Sequence, residues 1–155
     1  MTGMCGNEDD RYMRLALEQA RLAAAIGEAP VGALAVCDGQ IIAADHNRRE
    51  TDRCALAHAE LLVIRAACQK LGGWRLHRCT LYVTLEPCPM CAGAIINARI
   101  PRVVFGARDP KAGCFGSLTD FTALPFNHKP EVTAGVLEDE CSALLRKFFR
   151  KLRGK

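Results

Sequence analysis

The chain has 155 residues, half of them hydrophobic and a quarter charged, with a formal net charge of +4. That length suits one domain with a real core, and no apolar stretch is long enough to span a bilayer. The mild positive charge permits a polyanionic partner without requiring one.

Residues 1–7 are expected to be a disordered N-terminus. A first helix is predicted from Asn7 to Ile26. Tyr12, Leu15, Ala16, Leu22, Ala23 and Ile26 recur at helical spacing, Asn7 is the candidate cap, and Gly27 ends the helix. Val31–Cys37 and Gln40–Asp45 are rich in β-branched and small apolar residues. The Asp38-Gly39 pair between them is a strong hairpin signal. The polar stretch His46–Leu56 is a loop. A second helix runs from about Ala57 to Lys70 and stops at Gly72-Gly73. Thr80–Leu85 is a strand, Cys88–Arg99 a third helix stopped by Pro101, and Arg102–Gly106 another strand. Residues Ala107–Lys129 are irregular, and long loops are often functional. Val132–Val136 is the fifth strand. Glu138–Leu152 is a closing helix with a basic tail. Strands separated by helices imply parallel crossovers with helices packed on a sheet. The expected fold is α/β, a three-layer α-β-α sandwich around a mixed five-stranded sheet, with residues 1–155 forming a single domain.

The chemistry is carried by two separated segments, His58-Ala59-Glu60 and Pro87-Cys88-Pro89-Met90-Cys91. They offer one imidazole and two thiols for a metal, plus a carboxylate that ligation does not need. Catalytic zinc takes three protein ligands and keeps a fourth position for water, and a neighbouring carboxylate moves that water's proton. This pairing of motifs is the known signature of zinc nucleobase deaminases. His58, Cys88 and Cys91 are the metal ligands of this reading, and Glu60 is its proton shuttle. Two residues two apart on a helix do not share a face. His58 and Glu60 therefore serve one zinc only if His58 lies in or before the first turn. Pro87 and Pro89 suit a helix start, whose partial positive charge favours thiolates. Strand Thr80–Leu85 delivers this turn to the carboxyl end of the sheet, the usual place for an α/β site.

Blander readings stand beside this one. Cys-x-x-Cys alone also fits a redox pair, but that leaves His58 and Glu60 unexplained. A closed structural zinc site needs a fourth ligand, and neither His46, His77, His128 nor the other cysteines stand at tight ligand spacing. Asn47 fits a turn, and Arg108, Asp109 and Lys111 fit a surface loop. The tail Arg146-Lys147-Phe148-Phe149-Arg150-Lys151 reads either as a solvated helix end or as phosphate contacts with an aromatic platform. Glu8, Asp9, Asp10 and Glu18 leave no apolar run for a secretory signal. The nine cysteines are scattered singly apart from Cys88 and Cys91, unlike a secreted disulfide framework. A cytoplasmic setting is expected, with no membrane partner.

The chain resembles the bacterial tRNA-specific adenosine deaminases, which convert the wobble adenosine of an anticodon to inosine. The resemblance runs from about Tyr12 onward. It includes Pro30-Val31-Gly32-Ala33, Asn47-Arg48, Leu81 to Cys88, Met90 to Ile95 and Arg102 to Asp109. Gly116-Ser117-Leu118, Asn127-His128, Asp139-Glu140-Cys141 and Phe148-Phe149-Arg150 continue it. It implies a cytidine-deaminase-like fold, a homodimer, one Zn2+ per subunit and a tRNA anticodon stem-loop as substrate. By matching positions, Asn47 would hydrogen-bond the target base. Val31 and the backbone of Ala59 would line its pocket, and Asp109, Asn127 and Phe149 would touch flanking nucleotides. One stretch departs from the family pattern: Cys54-Ala55-Leu56-Ala57 stands where an Asp-Pro-Thr-like run is usual. Two other functions share parts of the pattern. One is a free nucleobase or nucleoside deaminase, acting for example on guanine. The other is a non-catalytic zinc-stabilised RNA-binding module, against which Glu60 argues, since a structural site needs no unliganded acid.

Overall fold

The computed structural model describes residues 2–154 of the chain. Five strands form one sheet in the order β2-β1-β3-β4-β5. Strands β1 (Gly32–Cys37) and β2 (Gln40–His46) are the expected hairpin, and β1 also pairs antiparallel with β3 (Cys79–Leu85). Strand β4 (Arg102–Ala107) lies parallel to β3, and β5 (Glu131–Thr133) parallel to β4. The hairpin closes through Asp38 and Gly39, both at positive φ (52° and 78°), the backbone of the tight turn that matches strand twist.

Helices cover both faces. On one side α2 (Ala59–Leu71) and α3 (Pro89–Asn97) bury Val63, Ala67, Ala92 and Ile95 against Ala33, Ala35, Leu81, Val83, Val103 and Phe105. On the other, α1 (Thr2–Ala25) and α4 (Glu138–Arg153) bury Met13, Ala16, Leu17 and Cys141 against Leu34, Val36, Tyr82 and Val104. Successive strand residues thus feed opposite cores, as the period of two requires. The central strands are apolar throughout because both their faces are covered. This is the three-layer α-β-α sandwich expected from the sequence. No helix among the described residues is long and apolar enough to cross a membrane.

Two boundaries differ from expectation by three residues or more. Helix α1 begins at Thr2 rather than Asn7, so residues 2–7, expected to be irregular, continue its backbone. No proline interrupts them, and each added residue extends the helical hydrogen-bond ladder. Met1 lies outside the described residues. Strand β5 ends at Thr133, because Gly135 and Leu137 adopt positive φ (82° and 53°) and turn the chain into α4. The long segment after β4 contains a 3-10 turn, Phe121–Ala123.

Gly32 lets α1 lie directly on β1. A Cβ there would overlap the Ala16 carbonyl oxygen and stand 2.6 Å from the Ala20 nitrogen. Gly32→Ala is expected to destabilise the fold by about 1–3 kcal/mol through overpacking, read as a lower denaturant midpoint. A buried network also pins α1 to the sheet. The Asp9 carboxylate accepts Tyr82 Oη at 2.8 Å and Arg102 Nη1 and Nη2 at 2.9 and 2.8 Å. Burial works to raise the Asp9 pKa, but the Arg102 and Tyr82 hydrogen bonds win and hold it below the ordinary carboxylate value. A depressed carboxyl stabilises above its unfolded pKa and loses that contribution as pH falls through its folded pKa. Melting temperature should therefore drop on acidification below about pH 4, and Asp9→Asn should flatten that drop.

Candidate metal centre and active site

Two helix starts meet at the carboxyl end of β3. His58 is the N-cap of α2, in extended conformation (φ −80°, ψ 149°), with Glu60 in the first turn. Cys88 is the N-cap of α3 (φ −76°, ψ 175°), followed by Pro89, with Cys91 in the first turn. This realises the helix-edge condition on the His58/Glu60 spacing. An extended residue before the first turn escapes the helical phase that would otherwise separate the two side chains. Both positive helix ends point at the thiols, which favours thiolate.

The three candidate ligands converge. His58 Nδ1 lies 3.7 Å from Cys88 Sγ and 3.6 Å from Cys91 Sγ, and all three ligand atoms fall within 4.8 Å of one another. A tetrahedral zinc with ordinary Zn–N and Zn–S bonds has an N···S edge of about 3.6 Å. The donor set and its spacing fit that ion. Three such donors would leave a tetrahedral zinc one open position, the pattern of a catalytic rather than a closed site.

The titration behaviour of the metal-free cluster follows from its contacts. A hydrogen bond from Cys91, aided by His58, draws the Cys88 thiol down to about 4 against the burial that opposes it. Cys91 moves the other way because it holds the proton shared with Cys88. His58 is raised, first by its hydrogen bond to Cys88. Glu60 is 4 % exposed. Burial above all pushes its carboxyl up to about 7, the range in which a carboxylate both accepts and returns protons near neutrality.

A pocket of about 240 Å³ opens over this cluster. Its walls include Val31, Asn47, Ala59, Asp109 and Phe149 together with His58, Glu60 and Cys88. Cys91 is fully buried beneath it. Asn47 is held side-on: its Oδ1 accepts Arg49 N at 3.1 Å and its Nδ2 donates to Ala29 O at 3.4 Å. One amide N–H then remains for a ligand. Asn127, expected at this site, is exposed and lies outside the pocket's lining. The divergent stretch Cys54-Ala55-Leu56 is also exposed and outside it, in turns closed by Cys54 N–Arg49 O and Ala57 N–Cys54 O hydrogen bonds. Its substitution alters the surface and leaves the pocket wall intact.

Five pocket residues were not named as site residues from the sequence: Ala29, Arg49, Leu85, Glu86 and Ala112. Glu86 stood in plain view next to Pro87, where a carboxylate ending an apolar strand signals a buried polar role. A second buried carboxylate, Glu28, ties down the Asn47 loop by accepting Glu50 N at 3.2 Å and Thr51 N and Oγ1 at 2.6 Å.

A larger, more open groove continues from the pocket, sharing Val31, Asp109 and Phe149 with it and adding Arg108, Lys111, Arg146, Arg150 and Arg153. The basic tail reaches this groove because α4 packs beside the carboxyl ends of β3 and β4. Residues 7–153 match the MafB19-like deaminase family. The tRNA-specific adenosine deaminase of Bacillus subtilis is 54% identical over 149 residues, covering 96% of this chain and 92% of that protein. The chain belongs to the tRNA-specific adenosine deaminase family. The Agrobacterium fabrum member is 48% identical over 147 residues, covering 94% of this chain and 97% of its own length. Among solved structures, a tRNA:A34 deaminase studied for A-to-I editing at the wobble position superposes with a TM-score of 0.83 at 46% identity. It covers 87% of this chain and 99% of its own. The guanine deaminase of Nitrosomonas europaea gives 0.79 at 30% identity, covering 90% and 83%. The fold is therefore shared by deaminases of different substrates, so substrate choice must be argued from the site rather than from the fold.

Proposed function

We propose that this protein is a zinc-dependent deaminase that converts the wobble adenosine of a tRNA anticodon loop to inosine. The observation that carries the choice of substrate is the continuity between the base-sized pocket and the arginine-lined groove. A free base such as guanine fills the pocket alone, whereas an anticodon loop places a flipped base in the pocket and its phosphates in the groove. The relatives named as tRNA-specific deaminases are also markedly more similar than the guanine deaminase.

His58, Cys88 and Cys91 would hold one Zn2+ per chain. Bound there, zinc supplies electrostatic activation of water as the nucleophile at neutral pH. Val31, the Ala59 backbone and Asn47 hold the adenine ring with its C6 facing the cluster. Glu60 accepts one proton from the attacking water and delivers it to the ring nitrogen beside C6, then takes the second from the new C6 hydroxyl and delivers it to the amino group, which leaves as ammonia. The ring and side chains around Glu60 exclude bulk water, which keeps its affinity for protons high. Asp109 and Phe149 flank the opening, and Asn127 meets the anticodon loop only at its periphery, outside the pocket. A homodimer and a cytoplasmic location belong to this reading and rest on family resemblance.

The deciding assay incubates zinc-loaded protein with an anticodon hairpin bearing wobble adenosine, and separately with guanine, cytosine and free adenosine. Inosine in the hairpin alone is expected. Ammonia released from guanine alone would replace this reading with free-base deamination, and hairpin binding without product would replace it with a binding module. The groove's cations further predict that hairpin KM rises steeply with salt, as phosphate contacts require.

A further inference from the structure

Glu86 is a second carboxylate in the same pocket as Glu60, and it is 1 % exposed. Its surroundings assign it different work. Oε1 accepts Asp109 N at 3.0 Å and the Ser117 hydroxyl, while Oε2 accepts Phe115 N at 3.0 Å and Ser117 N at 3.1 Å. A carboxylate offers about four acceptor sites, and all four are filled. It has no lone pair left to take a proton from water or substrate. Converging backbone N–H groups of this kind form a concavity for an anion, and here the chain supplies the anion itself.

The loop wrapped around that anion is the one that carries Asp109. Gly113 N closes it by donating to Asp109 O at 2.8 Å. Gly113 also packs on the Glu86 carboxyl so closely that a Cβ would overlap it and approach Asp109 O to 2.6 Å. Within the loop, Asp109 Oδ1 accepts Lys111 N and Ala112 N at 3.0 and 3.2 Å. Asp109 Oδ2 accepts no hydrogen bond among the described residues. Asp109 and Ala112 both line the pocket, and both are fixed through backbone groups that Glu86 organises.

We infer that Glu86 is a positioning residue for the deamination reaction: an internal anion that folds residues 109–117 into the pocket wall and aims Asp109 at the substrate strand. This rests on the proposed function. Removing the charge while keeping the shape should weaken substrate capture and leave the proton chemistry of Glu60 untouched. Asp109 is the residue through which Glu86 acts, so losing both should cost little more than losing Asp109.

The test measures kcat, KM and zinc content of the whole protein on the wobble-adenosine hairpin for Glu86→Gln, Asp109→Ala and the double variant. Glu86→Gln is expected to raise KM about 10-fold with kcat within about 3-fold and zinc at one per chain. In the Asp109→Ala background the same change should raise KM less than about 2-fold, the non-additivity of a shared pathway. Ser117→Ala, which keeps the acid and removes one hydrogen bond, should raise KM about 3-fold and completes the same cycle should Glu86→Gln not fold. A fall in kcat of about 100-fold at constant KM would make Glu86 a proton-transfer group and overturn the inference. Independent, multiplying effects of the Glu86 and Asp109 changes, or an unchanged KM, would overturn it as well. Failure of the wild-type protein to make inosine from the hairpin would instead reject the proposed function.

Discussion

Glu60→Ala protein is expected to bind one zinc per chain and to turn over the wobble-adenosine hairpin about 10²–10⁴-fold more slowly than wild type. The reason is a separation of duties visible in the geometry. The three ligand atoms lie within 4.8 Å of one another without Glu60, so the metal keeps its donors when the carboxylate is cut away. What disappears is the buried acid that carries protons between water, ring nitrogen and ammonia. Glu60→Gln is the sharper variant, because the amide fills the same space and cannot shuttle protons. Metal analysis and single-turnover inosine formation on the same preparation check both halves. Full activity in either variant would remove Glu60 from the mechanism. Loss of zinc in the glutamine variant would make it a ligand or a structural prop.

Cys88→Ser should have the opposite pattern, losing metal and activity together. Cys88 is drawn to the thiolate form more strongly than any other thiol of the cluster, and zinc takes thiolate rather than thiol. A serine at the same N-cap keeps the helix start but offers a hydroxyl, a far poorer ligand. Two of three donors would remain. Zinc per chain is expected to fall below about one tenth, and hairpin turnover to background, since ligand loss forfeits much of a binding energy of about 10–16 kcal/mol. Added zinc should rescue Cys88→Ser only partially at high concentration and should not improve Glu60→Ala at all. Equal zinc content in wild type and Cys88→Ser would exclude this cluster as the metal centre. Chelation of the wild-type protein should reproduce the Cys88→Ser phenotype reversibly.

The two experiments also divide what was legible in the chain from what was not. Element types followed from local pattern: the Asp-Gly hairpin, the apolar central strands and the helical periodicities all appear where expected. The shift of the α1 start and the early end of β5 reflect helix propagation and a positive-φ turn, neither of which hydrophobic spacing encodes. The candidate ligands His58, Cys88 and Cys91 were legible because zinc demands rare residue types at fixed chemistry. The His58/Glu60 spacing even forced a conformational statement, His58 outside the helical phase, which the extended N-cap meets. Asn47, Val31, Asp109 and Phe149 were named from resemblance, and they stand on one pocket. Asn127 was named in the same way and stands outside it.

Arg49, Glu28 and Glu86 escaped notice for a physical reason. A glutamate in a sequence reads as surface, because an unpaired buried carboxylate is costly. Whether it is paired depends on N–H groups far along the chain. Glu86 meets its partners 23, 29 and 31 residues away, and Glu28 meets Thr51 23 residues away. No local window contains those pairings.

Residue type and short-range spacing alone carried the candidate metal site, the proposed proton shuttle and the chain order of strands and helices. Only the tertiary structure decided that α4 carries its arginines to the same opening as the pocket, and that two buried carboxylates hold the loops around it. Those placements arise from contacts between segments more than 20 residues apart in the chain. In the proposed function, packing of that kind joins the candidate zinc site to a cationic groove suited to a strand of RNA.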